Sequence, residues 1–166
     1  EDTKLTAGGV INEGRISRLL GLPGMPAAAE EAMVGRDIEL AGKTGGWLHI
    51  AHVSTAGSVG LIRQAKARRV RVTAEVTPHH LTLTEERVRE CGTRAKVNPP
   101  LRTERDVQAL IRGLKDSVID IIATDHAPHT EADKHCEFTS AAFGISGLET
   151  ALGSLMSLVH SGQITL

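Results

Sequence analysis

Asp125, His126 and His129 fall within five positions, behind the run Ile119-Asp120-Ile121-Ile122-Ala123-Thr124 and around a stiffening Pro128. A carboxylate and two imidazoles can hold a metal ion, move a proton or bind an anion. Residues 118–123 (Val-Ile-Asp-Ile-Ile-Ala) have the length and β-branched content of a buried parallel strand. Ionisable groups at the carboxyl end of such a strand are costly unless something organises them. In α/β folds that end is where chemistry collects. The plainer alternative is a His-rich surface turn, but the apolar run feeding straight into the cluster favours a site. Two upstream segments repeat the theme. His52 comes at the end of 47–54 (Trp-Leu-His-Ile-Ala-His-Val-Ser), and His79-His80 follow 70–76. At least five of the eight histidines (His52, His79, His80, His126, His129) sit at predicted strand ends.

The elements that position these residues alternate. Residues 1–26 are broken by Gly8, Gly9, Gly14, Gly21, Pro23 and Gly24, which predicts a long loop with a short helix near 16–20. Pro26, followed by Glu30-Glu31, opens a helix running to about Lys43, with Ala32, Met33, Ile38, Leu40 and Ala41 as its apolar face and Gly45-Gly46 as its stop. Then come strand 47–54, helix 56–68 capped by 54–58, strand 70–76 and a helix around 85–91. Residues 95–102 (Ala-Lys-Val-Asn-Pro-Pro-Leu-Arg) are extended, and Thr103 with Asp106 caps a helix to about Leu114. After strand 118–123, residues 126–147 form a long loop of the kind that is usually functional. Residues 148–160 make a final helix buried through Leu148, Ala151, Leu152, Leu155 and Leu158. Helix and strand in alternation mean an α/β fold with a parallel sheet.

The 166 residues suffice for one domain, and 19 basic against 20 acidic residues leave a net charge of −1. No basic stripe points to nucleic acid; Arg68-Arg69-Val70-Arg71 reads as a solvated helix end. Cys91 and Cys136 lack metal spacing and read as free thiols. No segment has the length of a membrane span or the pattern of a signal peptide. The chain starts at Glu1-Asp2 without Met and stops at 163–166, so both ends read as cuts within a longer protein.

Parallel strands bring their carboxyl ends to one rim, so His52 and Asp125 can face a common centre. An imidazole and a carboxylate suit zinc or manganese, but a catalytic zinc needs about three protein ligands. The rest would come from His79, His80 or residues outside this chain. The competing role for His52 is a core histidine bonded to a carbonyl.

Together these stretches resemble the dihydroorotase family, class I type, of the amidohydrolase superfamily. The likeness is carried by 49–54 (His-Ile-Ala-His-Val-Ser), 75–81 (Glu-Val-Thr-Pro-His-His-Leu), 96–102 (Lys-Val-Asn-Pro-Pro-Leu-Arg), 124–129 (Thr-Asp-His-Ala-Pro-His) and 143–150 (Phe-Gly-Ile-Ser-Gly-Leu-Glu-Thr). Glu1-Asp2 is similar to the end of the family's His-x-Glu-Asp motif. The resemblance implies part of a (β/α)8 TIM barrel, about strands 6–8, as one barrel-domain fragment over residues 1–166. It implies Zn2+, one or two ions per full-length site, with His52 and Asp125 as metal ligands and Asp125 as the catalytic base. Asn98, His129, Phe143 and Gly144 match substrate-binding positions. His79 and His80 match a motif that supplies no ligand. The implied reaction is the reversible cyclisation of N-carbamoyl-L-aspartate to dihydroorotate by metal-activated water, in pyrimidine biosynthesis, in the cytoplasm. The implied partners are that small-molecule substrate, with self-association or association with aspartate transcarbamoylase, and neither nucleic acid nor membrane.

The family's His-x-His motif is missing, and of its six metal ligands only His52 and Asp125 are here, so the chain alone is expected to be inactive. An unpaired sheet edge would make it poorly soluble. The rival readings are an allantoinase or dihydropyrimidinase, a non-catalytic dihydroorotase-like subunit that scaffolds aspartate transcarbamoylase, and a metal-free α/β domain. Residues 130–142 have few apolar anchors besides Phe138, which predicts a mobile segment.

Overall fold

The computed structural model describes residues 1–165; Leu166, at the end of the 163–166 stretch, lies outside the described residues. The first 26 residues hold more order than a loop: Thr3–Thr6 (α1), Ile11–Asn12 (β1), Arg15–Leu20 (α2) and Gly24–Met25 (β2). β1 and β2 pair in parallel, Ile11 beside Gly24. Two-residue strands are too short to leave a periodic pattern, and two of the glycines that suggested a loop, Gly9 and Gly24, serve close packing instead. A Cβ on Gly9 would lie 2.4 Å from the Gly24 carbonyl oxygen.

Ala27–Thr44 (α3) starts after Pro26 and stops where Gly45 turns left-handed at φ 71°. Its buried residues are Ala29, Glu30, Val34, Ile38 and Ala41. Ile38 and Ala41 were expected there; Ala32 and Leu40 instead face solvent, because they fall off the helix face on which Glu30, Val34, Ile38 and Ala41 recur.

The chain continues with Leu48–Ile50 (β3), Ala56–Ala67 (α4), Val72–Val76 (β4), Pro78–Thr82 (α5), Arg87–Cys91 (α6), a 3₁₀ turn Gly92–Ala95, Glu104–Lys115 (α7), Ile121–Ile122 (β5), Glu131–Lys134 (α8) and Ala151–His160 (α9). β3, β4 and β5 form a parallel sheet in that order, with Leu48 opposite Val72 and Glu75 opposite Ile121. The alternation read from the sequence is present, with shorter strands. α5 was missed, although Thr77 caps it and Pro78 occupies its first turn. The Thr103–Asp106 capping box at the start of α7 is present, and Asp106 also accepts the Ala56 N–H at 2.9 Å, tying α7 to α4.

Helices cover one face of the sheet. Val34, Ile38, Val59, Ile62, Val107, Leu110 and Ile111 pack with Ile50, Val72, Ala74 and Val76 in the main core. The alternate positions His49, Thr73, Glu75 and Ile121 lie on the other face, where His49 bonds Thr73 Oγ1 at 2.8 Å and Glu75 Oε2 at 3.1 Å. Ile121 is 49% exposed, so the run 118–123 is not buried throughout; Val118 and Ile119 are the residues it buries. A second cluster gathers Ile11, Ile16, Val88, Ala95, Val97 and Leu101. α9 joins the main core through Leu158, while Leu148 and Leu152, expected inside, are exposed at 61% and 70%. No helix among the described residues is long and apolar enough to cross a membrane.

Candidate active site

The parallel sheet sends β3, β4 and β5 to one rim, and each is followed by a residue singled out above. His52 and Asp125 both take left-handed backbone, at φ 39° and 47°. Non-glycine residues adopt that region at a cost of roughly 1–3 kcal/mol, and such positions cluster at functional sites. The turn at His52 ends β3 after Ile50, shortening the strand read over 47–54.

A buried network fixes the chain just beyond His52. The Ser54 and Thr55 N–H groups each donate to Glu30 Oε1 at 3.1 Å, and the Ser54 hydroxyl donates to Glu30 Oε2. Arg102 closes the other side, donating to Ser54 Oγ (3.1 Å), Asn12 Oδ1 (3.0 Å), the Met25 carbonyl (2.9 Å) and Glu1 Oε1 (3.0 Å). Burial raises the Glu1 carboxyl, and Arg102 opposes that rise. Five sequence-distant segments thus meet at one guanidinium. Sequence reasoning missed Glu30 and Arg102 as a pair, since nothing local marks partners so far apart.

His79 and His80 sit in the first turn of α5 and do different things. His80 accepts from Thr77 Oγ1 at 2.8 Å and donates through Nε2 to the Pro99 carbonyl at 3.0 Å. Burial pushes its pKa down to about 4, against the pull of the Pro99 bond. It therefore staples α5 to the Asn98-Pro99-Pro100 segment, where Asn98 is exposed between buried Val97 and Pro99. His79 is pushed down to about 3, first by burial and then by the charges of His80 and His52. Its Nε2 is buried without a hydrogen-bond partner, 4.0 Å from Asp125 Oδ2.

The remaining predicted residues assemble on one loop. His126 leaves the cluster: its Nδ1 accepts the Gly147 and Leu148 N–H groups at 3.2 and 3.1 Å, which makes it a loop tie. His129 donates through Nε2 to the Phe143 carbonyl at 2.8 Å. Gly144 follows at φ 147°, where a Cβ would meet Ala127 O and His129 Nε2 at 2.7 Å each. The Gly144 N–H donates to Lys96 O at 3.0 Å, and Lys96 Nζ lies 4.3 Å from the centre of the Phe143 ring, so the Asn98 segment and the 143–144 pair adjoin. Residues 130–142, with few apolar anchors besides Phe138, also make polar contacts. Lys96 Nζ donates to the Phe138 and Thr139 carbonyls at 2.7 and 3.1 Å. Lys134 Nζ donates to the Thr93, Lys96 and Ala142 carbonyls at 3.2, 3.1 and 2.8 Å. Lysine in a sequence reads as solvated surface, so these anchors left no signal. A cavity of about 230 Å³ lies beside them, lined by His129, Thr130, Gly144 and Ile145 among others.

Among the described residues no three His, Cys, Asp or Glu side chains are grouped to hold a metal ion. His52 and Asp125 have the donor chemistry for part of a coordination shell, one imidazole and one carboxylate, with the rest to come from elsewhere.

No protein-family model matches the chain. A dihydroorotase of Pelotomaculum thermopropionicum is 61% identical over 166 residues, covering 99% of this chain and 39% of that protein. A dihydroorotase of Syntrophus aciditrophicus is 58% identical over all of this chain and 39% of its own. Among solved structures, the L-hydantoinase (dihydropyrimidinase) of Arthrobacter aurescens matches with a TM-score of 0.81 at 30% identity, over 87% of this chain and 33% of that one. The chain spans about two fifths (39%) of the length of the curated relatives it matches. Over that span, from end to end, its sequence is similar to those of dihydroorotases, and its α/β fold is similar to that of a hydantoinase.

Proposed function

We propose that this chain is part of the catalytic barrel of a dihydroorotase, its β3, β4 and β5 standing as strands 6–8 of a (β/α)8 barrel. The observation that carries the reading is the placement of His52 and Asp125 beyond the ends of parallel strands in a chain 61% identical to a dihydroorotase. The sheet face bearing His49, Thr73, Glu75 and Ile121 supports it, because parallel sheets are normally covered on both faces.

In this reading His52 and Asp125 would hold zinc together with residues outside this chain. A bound zinc ion would lower the pKa of a water to about 7, providing a nucleophile near neutral pH. Asp125, its side chain 31% exposed on the rim, is the carboxylate that would take a proton from the attacking water and pass it to the leaving ring nitrogen. In the direction of synthesis it returns the proton, and water leaves as the ring closes. The exposed Asn98 amide offers a donor and an acceptor to the ring's own amide groups. His129, with Nε2–H engaged by Phe143, keeps Nδ1 for the substrate carboxylate, donating to it when protonated. The Phe143–Gly144 backbone, set by that same bond, borders the ring. Cytoplasmic location, and association with itself or with aspartate transcarbamoylase, belong to the same reading.

The test is turnover by the longer parent polypeptide. Dihydroorotate should be hydrolysed in preference to allantoin and dihydrouracil, and Asp125→Asn should remove that activity. Faster turnover of allantoin or dihydrouracil would overturn the assignment, as would full activity in the Asp125→Asn variant.

A further inference from the structure

Of the two histidines opening α5, only His80 has its hydrogen bonds made. His79 is 6% exposed, and its Nε2 has no partner. Buried polar side-chain atoms are nearly always bonded, so an orphan needs a physical account. The acceptor facing it is Asp125 Oδ2 at 4.0 Å, about 1 Å beyond hydrogen-bond range. Asp125 stands on left-handed backbone, and no hydrogen bond to its carboxylate is formed among the described residues. Its orientation is therefore open to whatever group can reach it. His79, by contrast, is held rigidly. Thr77 caps its helix, Pro78 sets the first turn, and the His80 ring packs 4.6 Å away while itself fixed to Pro99. A neutral imidazole carrying its proton on Nε2 presents a single N–H to the carboxylate.

We propose that His79 is the positioning residue for Asp125: its Nε2–H donates to Oδ2 and leaves Oδ1 as the oxygen that exchanges the proton. The proposal rests on the reading of Asp125 as the base. It assigns His79 no ligand role. A small rotation of the Asp125 side chain closes the gap without moving α5, whose position His80 secures. Outer groups that orient a site carboxylate or imidazole typically matter by 10–100-fold in metal affinity or activity.

Two measurements decide it. In the parent polypeptide, His79→Leu keeps the volume and removes the donor, whereas His79→Gln keeps an N–H near the Nε2 position. The expected result is a loss of roughly 10–100-fold in kcat for His79→Leu with little change in KM, and recovery of most of it in His79→Gln. Equal impairment of both variants, or a rise in KM alone, would overturn the proposal and leave His79 a packing residue. In the same parent polypeptide, nitrogen-15 NMR should show the His79 Nε2 signal moving in Asp125→Asn while the His80 signals stay. An unmoved His79 signal would overturn it independently of any activity. Should the parent fail to hydrolyse dihydroorotate at all, the functional reading falls, and the NMR arm still decides whether the two side chains are bonded.

Discussion

Replacing His80 by Asn should remove one proton from the pH dependence of this chain's stability. His80 is buried, and its pKa is depressed to about 4, with burial as the main cause. A free histidine titrates near 6.5, so the unfolded chain takes up a proton that the folded chain refuses. The folded value lies below the unfolded one. Stability from this group is therefore complete above about pH 6.5 and is lost as the pH falls toward about 4. The slope is about 1.4 kcal/mol per pH unit, which makes the loss roughly 2 kcal/mol between about pH 7.5 and about pH 5. His79, depressed to about 3, acts in the same direction, so the wild-type chain should lose roughly twice that from the pair. Carboxylates contribute as well, but equally in both proteins, and cancel in the difference. The assay is urea unfolding of wild type and His80→Asn across this range. The variant is less stable throughout, because the Pro99 carbonyl loses its donor. What matters is the change with pH, which should shrink by about 2 kcal/mol. An unchanged slope would mean that His80 accepts its proton inside the fold, and would refute the reasoning.

Arg102→Met should destabilise the chain by about 3–5 kcal/mol, read from the denaturant midpoint, because it leaves Glu30 and Glu1 without their buried cation. Arg102→Lys should not restore it, since an ammonium cannot span Ser54, Asn12, the Met25 carbonyl and Glu1 together; a midpoint near wild type in either variant would contradict this. Two glycines give opposite expectations in thermal unfolding. Gly144→Ala, whose Cβ would meet Ala127 O and His129 Nε2 at 2.7 Å, should cost roughly 1–3 kcal/mol and break the His129–Phe143 bond. Gly57→Ala meets only the end of the Glu31 side chain, which can swing aside, and gains about 1 kcal/mol of helix propensity in α4, so its midpoint should hold or rise. Equal effects at the two positions would show that the contacts are misread.

Much of the architecture is legible in order and kind. Pro26 and Gly45 bracket α3, Thr103 with Asp106 starts α7, and the strands after α3, α4 and α7 pair in parallel as alternation requires. The short β1–β2 pair is not legible, because two residues carry no period. The outward turn of Leu148 and Leu152 is not legible either, since an apolar stripe shows which residues can be buried and not which have a neighbour to bury them. At the site, residue types and strand ends pointed to His52 and Asp125 without any coordinates. That both stand on left-handed backbone, that His126 is a loop tie and that His79 is left unbonded depend on distances between segments far apart in the chain.

The sequence by itself determined the alternating elements, the strand-end histidines and the family likeness, because caps, breakers and periodicity act between residues a few positions apart. Only the tertiary structure decided which polar groups meet. Glu30 with Arg102, Lys134 with three carbonyls, and His79 facing Asp125 are pairings across long loops, and their cost or benefit exists only once burial has removed the water each would otherwise hold.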